Sequence, residues 1–339
     1  MGQQRLAWLF PGQGTQAVGM GQALYDSSTA ARALMDLADA TLGGEVLRRC
    51  FDGPADELRL TLHAQPAIVI VSLASLAVCF EALTEGNLEG TPEEWFGSRL
   101  PPELAPAFVA GHSVGELAAL IATGALSLVE GLRLVQARAR AMQEAGASRP
   151  GTMTAVLGLT FDEVDAACAA ARAEVPGSYV TVATHNEPTQ VVIAGDQEGL
   201  AAAGKHARER GARRVVRLEV SAAFHSAAMH PAAEALAAPV ASLAIQPPLV
   251  PVVLNTSAQP TRDPESIRAA LTQQVRQPVR WADTVGLLLA QDVTLFLECG
   301  PGQVLINTIR RRSSAAETWA VSMPDDVGAA MAGLRAHWG

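Results

Sequence analysis

Apolar runs bounded by glycine and proline mark the first buried elements of the chain. Residues 6–10 ("LAWLF") end at a turn that contains Pro11, and residues 107–111 ("AFVAG") lead directly into "HSVG". Short continuous apolar runs of this kind are typical of strands that are buried on both faces of a sheet. The segment 67–83 follows Pro66 and is apolar nearly all round, which predicts a central helix that begins after the proline.

The pattern changes at Pro150 and Gly151. Residues 150–218 predict, in order, a strand, a helix, two strands joined by a turn, a second helix and a closing strand. This β-α-β-β-α-β order is the split βαβ, or ferredoxin-like, arrangement. We therefore predict a ferredoxin-like small domain over 150–218, inserted into a large domain made of 1–149 and 219–339.

Helical and apolar segments alternate through the rest of the large domain. The helical pattern over 115–145 is interrupted at Gly124, and Ser127 is placed to cap the helix that follows. Residues 86–106 are rich in Pro, Gly and Glu and predict a surface loop. The remaining elements are helices over 226–242 and 264–290, strands over 251–255 and 293–300, and a final helical region.

Composition and charge fit a globular α/β protein. The 339 residues are 49% hydrophobic but only 4% aromatic, so the core is built from Ala, Val and Leu, which argues against disorder. The formal net charge is −9 at pH 7. Because no overall positive field attracts phosphates, we expect no nucleic-acid partner.

Targeting signals and cysteine spacing point to the cytoplasm. The four cysteines are scattered without a CxxC motif, which is typical of free thiols in a reducing compartment. The apolar start is too short for a signal peptide and breaks at Pro11. The longest apolar segment, 67–80, falls short of the roughly 20 residues that a membrane span needs. We expect no membrane association.

The sequence "GHSVG" at 111–115 places a serine between a buried strand and a helix. This is the G-x-S-x-G pattern of a nucleophile elbow, in which the glycines allow a sharp turn. The N-terminus of the following helix would direct N–H groups and its positive dipole end at a developing oxyanion. Ser113 is therefore the candidate nucleophile, and the alternative is a serine that only caps the helix.

A serine nucleophile needs a base, and the chain has seven histidines. His225 lies in a turn of small residues between a strand and a helix, which suits a group at the edge of a cleft. His112 is adjacent to Ser113, but its side chain should point away from the elbow. The other five histidines stand in polar or helical contexts without a supporting motif.

Two further segments are ambiguous from pattern alone. The glycine-rich turn at 11–21 lacks G-x-G-x-x-G spacing and a ribose-binding acid, so it does not predict a dinucleotide site. It fits better as a turn that offers a backbone N–H to an oxyanion. Arg138 and Arg140, on the helix after the elbow, would by periodicity alone belong to a solvated face.

Nine motifs together resemble the malonyl-CoA:acyl-carrier-protein transacylases and the acyltransferase domains of polyketide synthases, and they occur in that family's order over nearly the whole chain. They are "FPGQGTQ" (10–16), "QPAI" (65–68), "GHSVGE" (111–116), "RARAMQ" (138–143), "NEPTQVVIAG" (186–195), "AAFHS" (222–226), "PVVLN" (251–255), "QQVRQPVRW" (273–281) and "ECGPGQVL" (298–305). The resemblance implies a hydrolase-like α/β domain with a parallel sheet and a ferredoxin-like insertion.

The resemblance also implies catalytic roles. Ser113 and His225 would form a nucleophile–base dyad, with the histidine oriented by a backbone carbonyl near Gln274. Asn255 would lie close by, and the orienting carbonyl would explain why no aspartate completes a triad.

Substrate contacts follow from the same motifs. The backbone N–H groups of Gln13 and Val114 would form the oxyanion hole. Arg138 would bind the free carboxylate of a malonyl group, which overrides its interpretation as a solvated residue. Arg140, two residues on, would point elsewhere.

The implied reaction moves a malonyl group from malonyl-CoA to the phosphopantetheine thiol of a holo acyl carrier protein through a serine ester, with ping-pong kinetics. It needs no metal and no redox cofactor. Phe224, just before the catalytic histidine, resembles the malonyl-selective pattern, since its ring would fill the space of an α-methyl group and cost a branched substrate about 1–3 kcal/mol.

The chain departs from the family pattern at three places. Thr184 stands for the first Asn of an N-x-N motif whose second Asn is Asn186, Thr154 replaces a usual Ala, and the loop over 86–106 is longer. These departures leave open an acyl donor other than malonyl-CoA.

Carrier proteins are acidic, so a local basic patch is expected despite the net charge. Two groups of arginines could form it or could be ordinary solvated charge: Arg208, Arg210, Arg213, Arg214 and Arg217 in one, and Arg310, Arg311 and Arg312 in the other.

The leading hypothesis is a monomeric malonyl transferase in fatty-acid or polyketide assembly. One alternative is an acyl hydrolase that clears carrier proteins, although Arg138 argues against it because a hydrolase does not need a carboxylate clamp. Another is transfer of a different acyl group between carrier proteins.

Overall fold

The computed structural model describes residues 5–97, 100–220 and 222–337. The strands are β1 (Arg5–Phe10), β2 (Phe108–Gly111), β3 (Thr152–Leu157), β4 (Val180–Glu187), β5 (Gln190–Gly195), β6 (Arg214–Arg217), β7 (Val252–Val253), β8 (Pro260–Thr261), β9 (Val293–Cys299) and β10 (Glu317–Val321). The α-helices are α1 (Gln22–Ser27), α2 (Thr29–Thr41), α3 (Val46–Asp52), α4 (Ala55–Arg59), α5 (Thr61–Leu83), α6 (Pro92–Trp95), α7 (Gly115–Ala122), α8 (Leu128–Ser148), α9 (Phe161–Glu174), α10 (Gln197–Glu209), α11 (His230–Ala241), α12 (Pro264–Gln273), α13 (Trp281–Ala290), α14 (Val304–Arg312) and α15 (Pro324–Arg335). Short 3-10 helices cover Pro102–Leu104, Ala227–Met229 and Gln274–Arg276.

A mainly parallel sheet forms the centre of the larger unit. Its strand order is β10-β9-β1-β2-β7-β8, in which the first five strands are parallel and β8 runs antiparallel to β7. Side chains of β1 alternate between two cores: Trp8 and Phe10 pack on the face of α5, and Ala7 and Leu9 pack on the face of α13 and α14. Burial on both faces explains why this strand is an uninterrupted apolar run.

Residues 152–217 form a second, antiparallel sheet with the order β4-β5-β3-β6. The connection order is β-α-β-β-α-β, as the apolar pattern predicted. On one face, Val156, Val182 and Ile193 pack against α9 and α10 in a separate core. On the other face, Ala155 and Val192 join the core of the larger unit, so the second sheet is packed against that unit.

The central helix α5 is longer than the sequence predicted. It begins at Thr61, and Pro66 lies inside it, so the prediction of a helix start after the proline was wrong. Because proline has no N–H, the hydrogen bond to the carbonyl of Leu62 is missing, and the helix nevertheless continues to Leu83. With 23 residues the helix is long enough to cross a membrane by length and composition, but 83% of its most apolar window is buried inside the protein. It is a core helix.

Two other boundaries differ from expectation. The predicted surface loop over 86–106 contains α6, opened by a capping box between Thr91 and Glu94, and it buries Trp95 and Leu104. The final region is not only helical, since β10 lies at the edge of the sheet. Edge position leaves one side of β10 partly exposed, which removes the strong apolar signal.

Ser127 caps α8 as predicted, accepting the N–H of Glu130.

Because α5 is buried nearly all round, Leu73→Ala should lower the free energy of unfolding by about 2–5 kcal/mol, the usual cost of an unfilled core cavity. Urea unfolding monitored by circular dichroism measures it. Val304→Ala is the control, since Val304 is 52% exposed. Equal stabilities for the two variants would contradict the placement of α5 in the core.

Candidate active site

The serine lies on a tight elbow between β2 and α7. Ser113 adopts a left-handed backbone conformation, with φ +52°, which is uncommon outside glycine. A Cβ at Gly111 would lie 2.0 Å from the carbonyl of Gly115, and one at Gly115 would lie 2.2 Å from the carbonyl oxygen of Phe10. The two flanking glycines are therefore required by close backbone packing, and the turn projects the Ser113 hydroxyl from the end of the sheet.

His225 meets that hydroxyl across a long sequence separation. Its Nε2 lies 2.8 Å from Ser113 Oγ, and its Nδ1 faces the carbonyl oxygens of Gln274 and Gln277 at 2.9 and 3.2 Å. Carbonyls only accept, so Nδ1 carries the proton and Nε2 presents a lone pair to the serine. Burial, followed by the charge of Arg138, lowers the pKa of His225 to about 3, so the ring is neutral at neutral pH.

The two predicted oxyanion donors lie beside the elbow. Val114 stands at the N-terminus of α7, and the glycine-rich turn after β1 reaches the elbow, because a Cβ at Gly12 would lie 2.6 Å from the carbonyl oxygen of His112. Among the described residues, no acceptor takes the backbone N–H of Gln13 or Val114. The side chain of Gln13 donates to Thr61 Oγ1 at 3.3 Å.

Arg138 is buried in the site and is not on a solvated face. Its guanidinium donates to Gln65 Oε1 at 2.6 Å through Nη1, and through Nη2 to Gln274 Oε1 at 2.8 Å and Ser113 Oγ at 3.2 Å. All three acceptors are uncharged, and no carboxylate of the described chain forms an ion pair with it. Burial lowers the pKa of Arg138 to about 10, so it stays charged at neutral pH.

A polar network behind the serine supports this arrangement. Asn255 Oδ1 accepts the N–H of Ser113 at 2.7 Å, and its Nδ2 donates to the carbonyl of Gly111 at 2.6 Å. Gln274 Nε2 donates to the carbonyl of Ser113 at 3.0 Å and to Glu116 Oε1 at 2.9 Å. Asn255 thus contacts the elbow and not the histidine, whereas Gln274 contacts Ser113, His225 and Arg138.

Three participants were not singled out from the sequence. Gln65 and Glu116 end up in the network, and Gln277 supplies a second carbonyl to His225. All three lie inside motifs that carried the resemblance. Polar residues in otherwise apolar segments, such as Gln65 before "PAI" and Glu116 before "LAALIA", were the available signal.

The remaining predicted residues have other contacts. Phe224 borders a cleft of about 100 Å³ together with Thr61 and Gln143. His112 faces Asn186 at 3.0 Å and the edge of Trp281, and no hydrogen bond joins its ring to Ser113 in the described chain. The hydroxyl of Thr184 is buried without a partner among the described residues.

The two arginine groups differ in their surroundings. Arg208, Arg213 and Arg214 are exposed and form no ion pair within the described chain. Arg208 and Arg217 border a groove of about 230 Å³ between α10, β3 and β6. The second group is engaged internally: Arg310 with Thr318, Arg311 with Glu187, and Arg312 with the carbonyl of Ala282.

Comparison with known proteins decides the family. A family model described as "Acyl transferase domain" matches residues 7–331. The malonyl CoA-acyl carrier protein transacylase of Bacillus subtilis (strain 168) is 37% identical, with 98% of each chain covered. The chain belongs to the acyl transferase family. It is therefore an acyltransferase, and the family resemblance that its motifs indicated is confirmed.

Solved structures agree with this assignment. The acyl-carrier-protein-S-malonyltransferase of Bartonella henselae superposes with a TM-score of 0.87 at 36% identity, covering 98% of this acyl transferase and 100% of that chain. A malonyl-transacylase solved in complex with a type II PKS acyl-carrier protein gives 0.85 at 32% identity, over 97% and 100%. The α/β fold with a parallel sheet is thus shared.

We expect Asn255→Ala to leave the Ser113 N–H and the Gly111 carbonyl without partners, at a cost of about 1–3 kcal/mol each. Ser113 would also lose the contact that holds its left-handed conformation. Urea unfolding and labelling of Ser113 by a fluorophosphonate probe measure both effects. Asn87→Ala, at an exposed position, is the control, and wild-type stability together with wild-type labelling in Asn255→Ala would contradict the assigned role.

Proposed function

We propose that this acyl transferase moves a malonyl group from malonyl-CoA to the phosphopantetheine thiol of an acyl carrier protein, in fatty-acid or polyketide biosynthesis. The observation that carries the proposal is the guanidinium of Arg138. It is 3% exposed, lies 3.2 Å from Ser113 Oγ and, among the described residues, contacts only neutral acceptors. A buried cation without a paired carboxylate, next to a nucleophile, is suited to bind an acyl chain that carries its own carboxylate. The names of the relatives support this substrate.

The first half-reaction forms a serine ester. Ser113 Oγ attacks the thioester carbonyl carbon while His225 Nε2 takes the hydroxyl proton. The backbone N–H groups of Gln13 and Val114 stabilise the oxyanion. When the tetrahedral intermediate collapses, the carbon–sulfur bond breaks, and the protonated histidine returns its proton to the departing CoA thiolate.

The second half-reaction reverses these steps with a new thiol. His225 accepts the proton of the carrier thiol, the sulfur attacks the malonyl-serine carbonyl, and Ser113 leaves with the proton. Because CoA leaves before the carrier thiol attacks the serine ester, we expect ping-pong kinetics. The chain supplies the nucleophile, the base and the oxyanion donors, so we expect no metal or redox cofactor. The carbonyls of Gln274 and Gln277 take the orienting role that an aspartate has in a triad.

The surroundings of the dyad suggest how substrates are selected. We infer that Phe224, at the edge of the cleft beside Thr61, disfavours donors with an α-branch.

We also infer that the second sheet is the ferredoxin-like small domain, over 150–218, of a hydrolase-like enzyme, which its strand order supports. A cytoplasmic location fits four cysteines that are free and buried, and we further propose that the protein is a monomer.

For the carrier protein we propose docking on Arg208, Arg213 and Arg214. They are exposed and form no ion pair within the described chain, whereas Arg310 and Arg311 already bind Thr318 and Glu187. An acidic partner would gain association rate from such a patch.

Intact mass spectrometry of the protein with malonyl-CoA, acetyl-CoA and a holo carrier protein tests the function. The expected products are a malonyl ester on Ser113 and malonyl-carrier protein. Free malonate without acylated carrier would instead support the acyl hydrolase. Equal loading of Ser113 from malonyl-CoA and acetyl-CoA would contradict the role of Arg138 in substrate choice.

Arg138→Ala should lower kcat/KM for malonyl-CoA by about a hundredfold, because a buried charge-assisted contact is lost. Loading from acetyl-CoA should change far less. Arg140→Ala is the matched control on the same helix, since Arg140 is exposed. Equal losses for malonyl and acetyl would indicate that Arg138 is structural.

The triple variant Arg208→Glu/Arg213→Glu/Arg214→Glu should raise KM for the carrier protein about tenfold or more, with unchanged malonyl loading from CoA. The effect should shrink as salt is added, because the charges are exposed. The same substitutions at Arg310 and Arg311 provide the comparison. A higher KM for the carrier protein in that variant alone would instead place the docking site at Arg310 and Arg311.

A further inference from the structure

Glu116 is a buried carboxylate to which neither half-reaction assigns a step. It stands in the first turn of α7 and is fully buried. Its Oε2 accepts the backbone N–H of Asn255 at 2.5 Å, and its Oε1 accepts Gln274 Nε2 at 2.9 Å. Both partners are donors, so this position of the network requires a group that accepts twice.

That requirement determines the orientation of the Gln274 amide. Gln274 Nε2 faces two acceptors, Glu116 Oε1 and the carbonyl of Ser113, so the NH2 group must point toward them. The amide oxygen is left facing Arg138, whose Nη2 donates to it at 2.8 Å. With the amide reversed, oxygen would face two acceptors and NH2 would face a guanidinium, which is unfavourable at all three contacts.

Glu116, the Gln274 amide and Arg138 form a relay of hydrogen bonds. In this relay one neutral amide separates the negative charge of Glu116 from the positive charge of Arg138. Glu116 offsets part of the buried positive charge of Arg138, yet it forms no hydrogen bond to the guanidinium. A carboxylate in direct contact would compete with the carboxylate of a substrate. A carboxylate one amide away stabilises the cation and leaves it available.

We propose that Glu116 is a positioning residue for acyl-group selectivity, which acts through the Gln274 amide to hold Arg138 ready for a carboxylated acyl chain. The proposal rests on the function proposed above. It assigns Glu116 an effect on the choice between malonyl and neutral acyl donors, and not on the reactivity of Ser113.

Glu116→Gln tests it with little change of shape. The new amide must still accept the N–H of Asn255, so its NH2 group would face Gln274 Nε2, and the Gln274 amide would turn over and direct NH2 at Arg138. We expect kcat/KM for malonyl-CoA to fall about ten- to hundredfold, and that for acetyl-CoA to change by no more than about twofold. Glu298→Gln is the matched control, because Glu298 is equally buried and accepts backbone N–H groups, those of Leu305 and Ile306 among them.

A double-mutant cycle identifies the route. Gln274→Leu removes the amide but keeps the backbone carbonyl that orients His225. In that background Glu116→Gln should no longer change the malonyl-to-acetyl ratio, since the two residues act as one unit. An undiminished effect in the Gln274→Leu background would overturn the relay, and equal losses for both donors in the single variant would overturn the selectivity role.

The pH dependence of the wild-type protein gives a further test. Burial raises the pKa of Glu116 to about 7, so its carboxylate is present above that pH and is lost as pH falls through it. The charge of Arg138 on α8 lowers the pKa of Glu116, and His225 and His112 lie in the same site. His225 serves both donors, so its titration cancels in the ratio of malonyl to acetyl loading.

We expect that ratio to fall as pH drops from about 8.5 to about 5.5, and to stay level in Glu116→Gln. A level ratio in the wild type would overturn the proposal. Failure of the proposed function would give a different result. The wild-type protein would then form no malonyl ester on Ser113 at any pH, and that result would overturn both the proposed function and the role of Glu116.

Discussion

The buried guanidinium of Arg138 is the constraint on which the rest of the site depends. A cation at 3% exposure loses most of its hydration, and a protein normally compensates it with a direct carboxylate partner. Here the compensation comes from neutral oxygens of Gln65, Gln274 and Ser113, with Glu116 one amide further away. The positive charge is thereby stabilised within the fold and still available to a ligand beside the serine.

Backbone atoms contribute to holding both the elbow and His225. Carbonyls of Gln274 and Gln277 fix the tautomer of His225. Backbone contact within the elbow leaves room only for glycine at 111, and backbone contact with the end of β1 does so at 115. Backbone acceptors carry no charge, so the histidine gains orientation without an added carboxylate next to the acyl site. In the proposed mechanism, this keeps the vicinity of Ser113 positive, which favours a malonyl group over a neutral one.

Much of this arrangement could be predicted from local patterns. The apolar runs located β1, β2 and the element order of the second sheet, and the G-x-S-x-G pattern located the elbow. Edge and boundary features were harder: β10 lies at the sheet edge and has a weak apolar signal, and Pro66 suggested a helix start although α5 begins at Thr61. For Arg138, periodicity alone pointed to solvent, and only the family motifs placed it in the site.

The sequence by itself predicted the turn at 111–115 and offered Ser113 as its candidate nucleophile, because glycine spacing and short apolar runs act through neighbouring residues along the chain. Tertiary structure decided how Gln65, Glu116, Asn255 and Gln274 meet around Ser113 and Arg138. These residues come from α5, α7, the end of β7 and the 3-10 helix before α13, and the direction of each hydrogen bond depends on the partner that the next one has. Such directionality is a property of the folded network as a whole, and no local pattern encodes it.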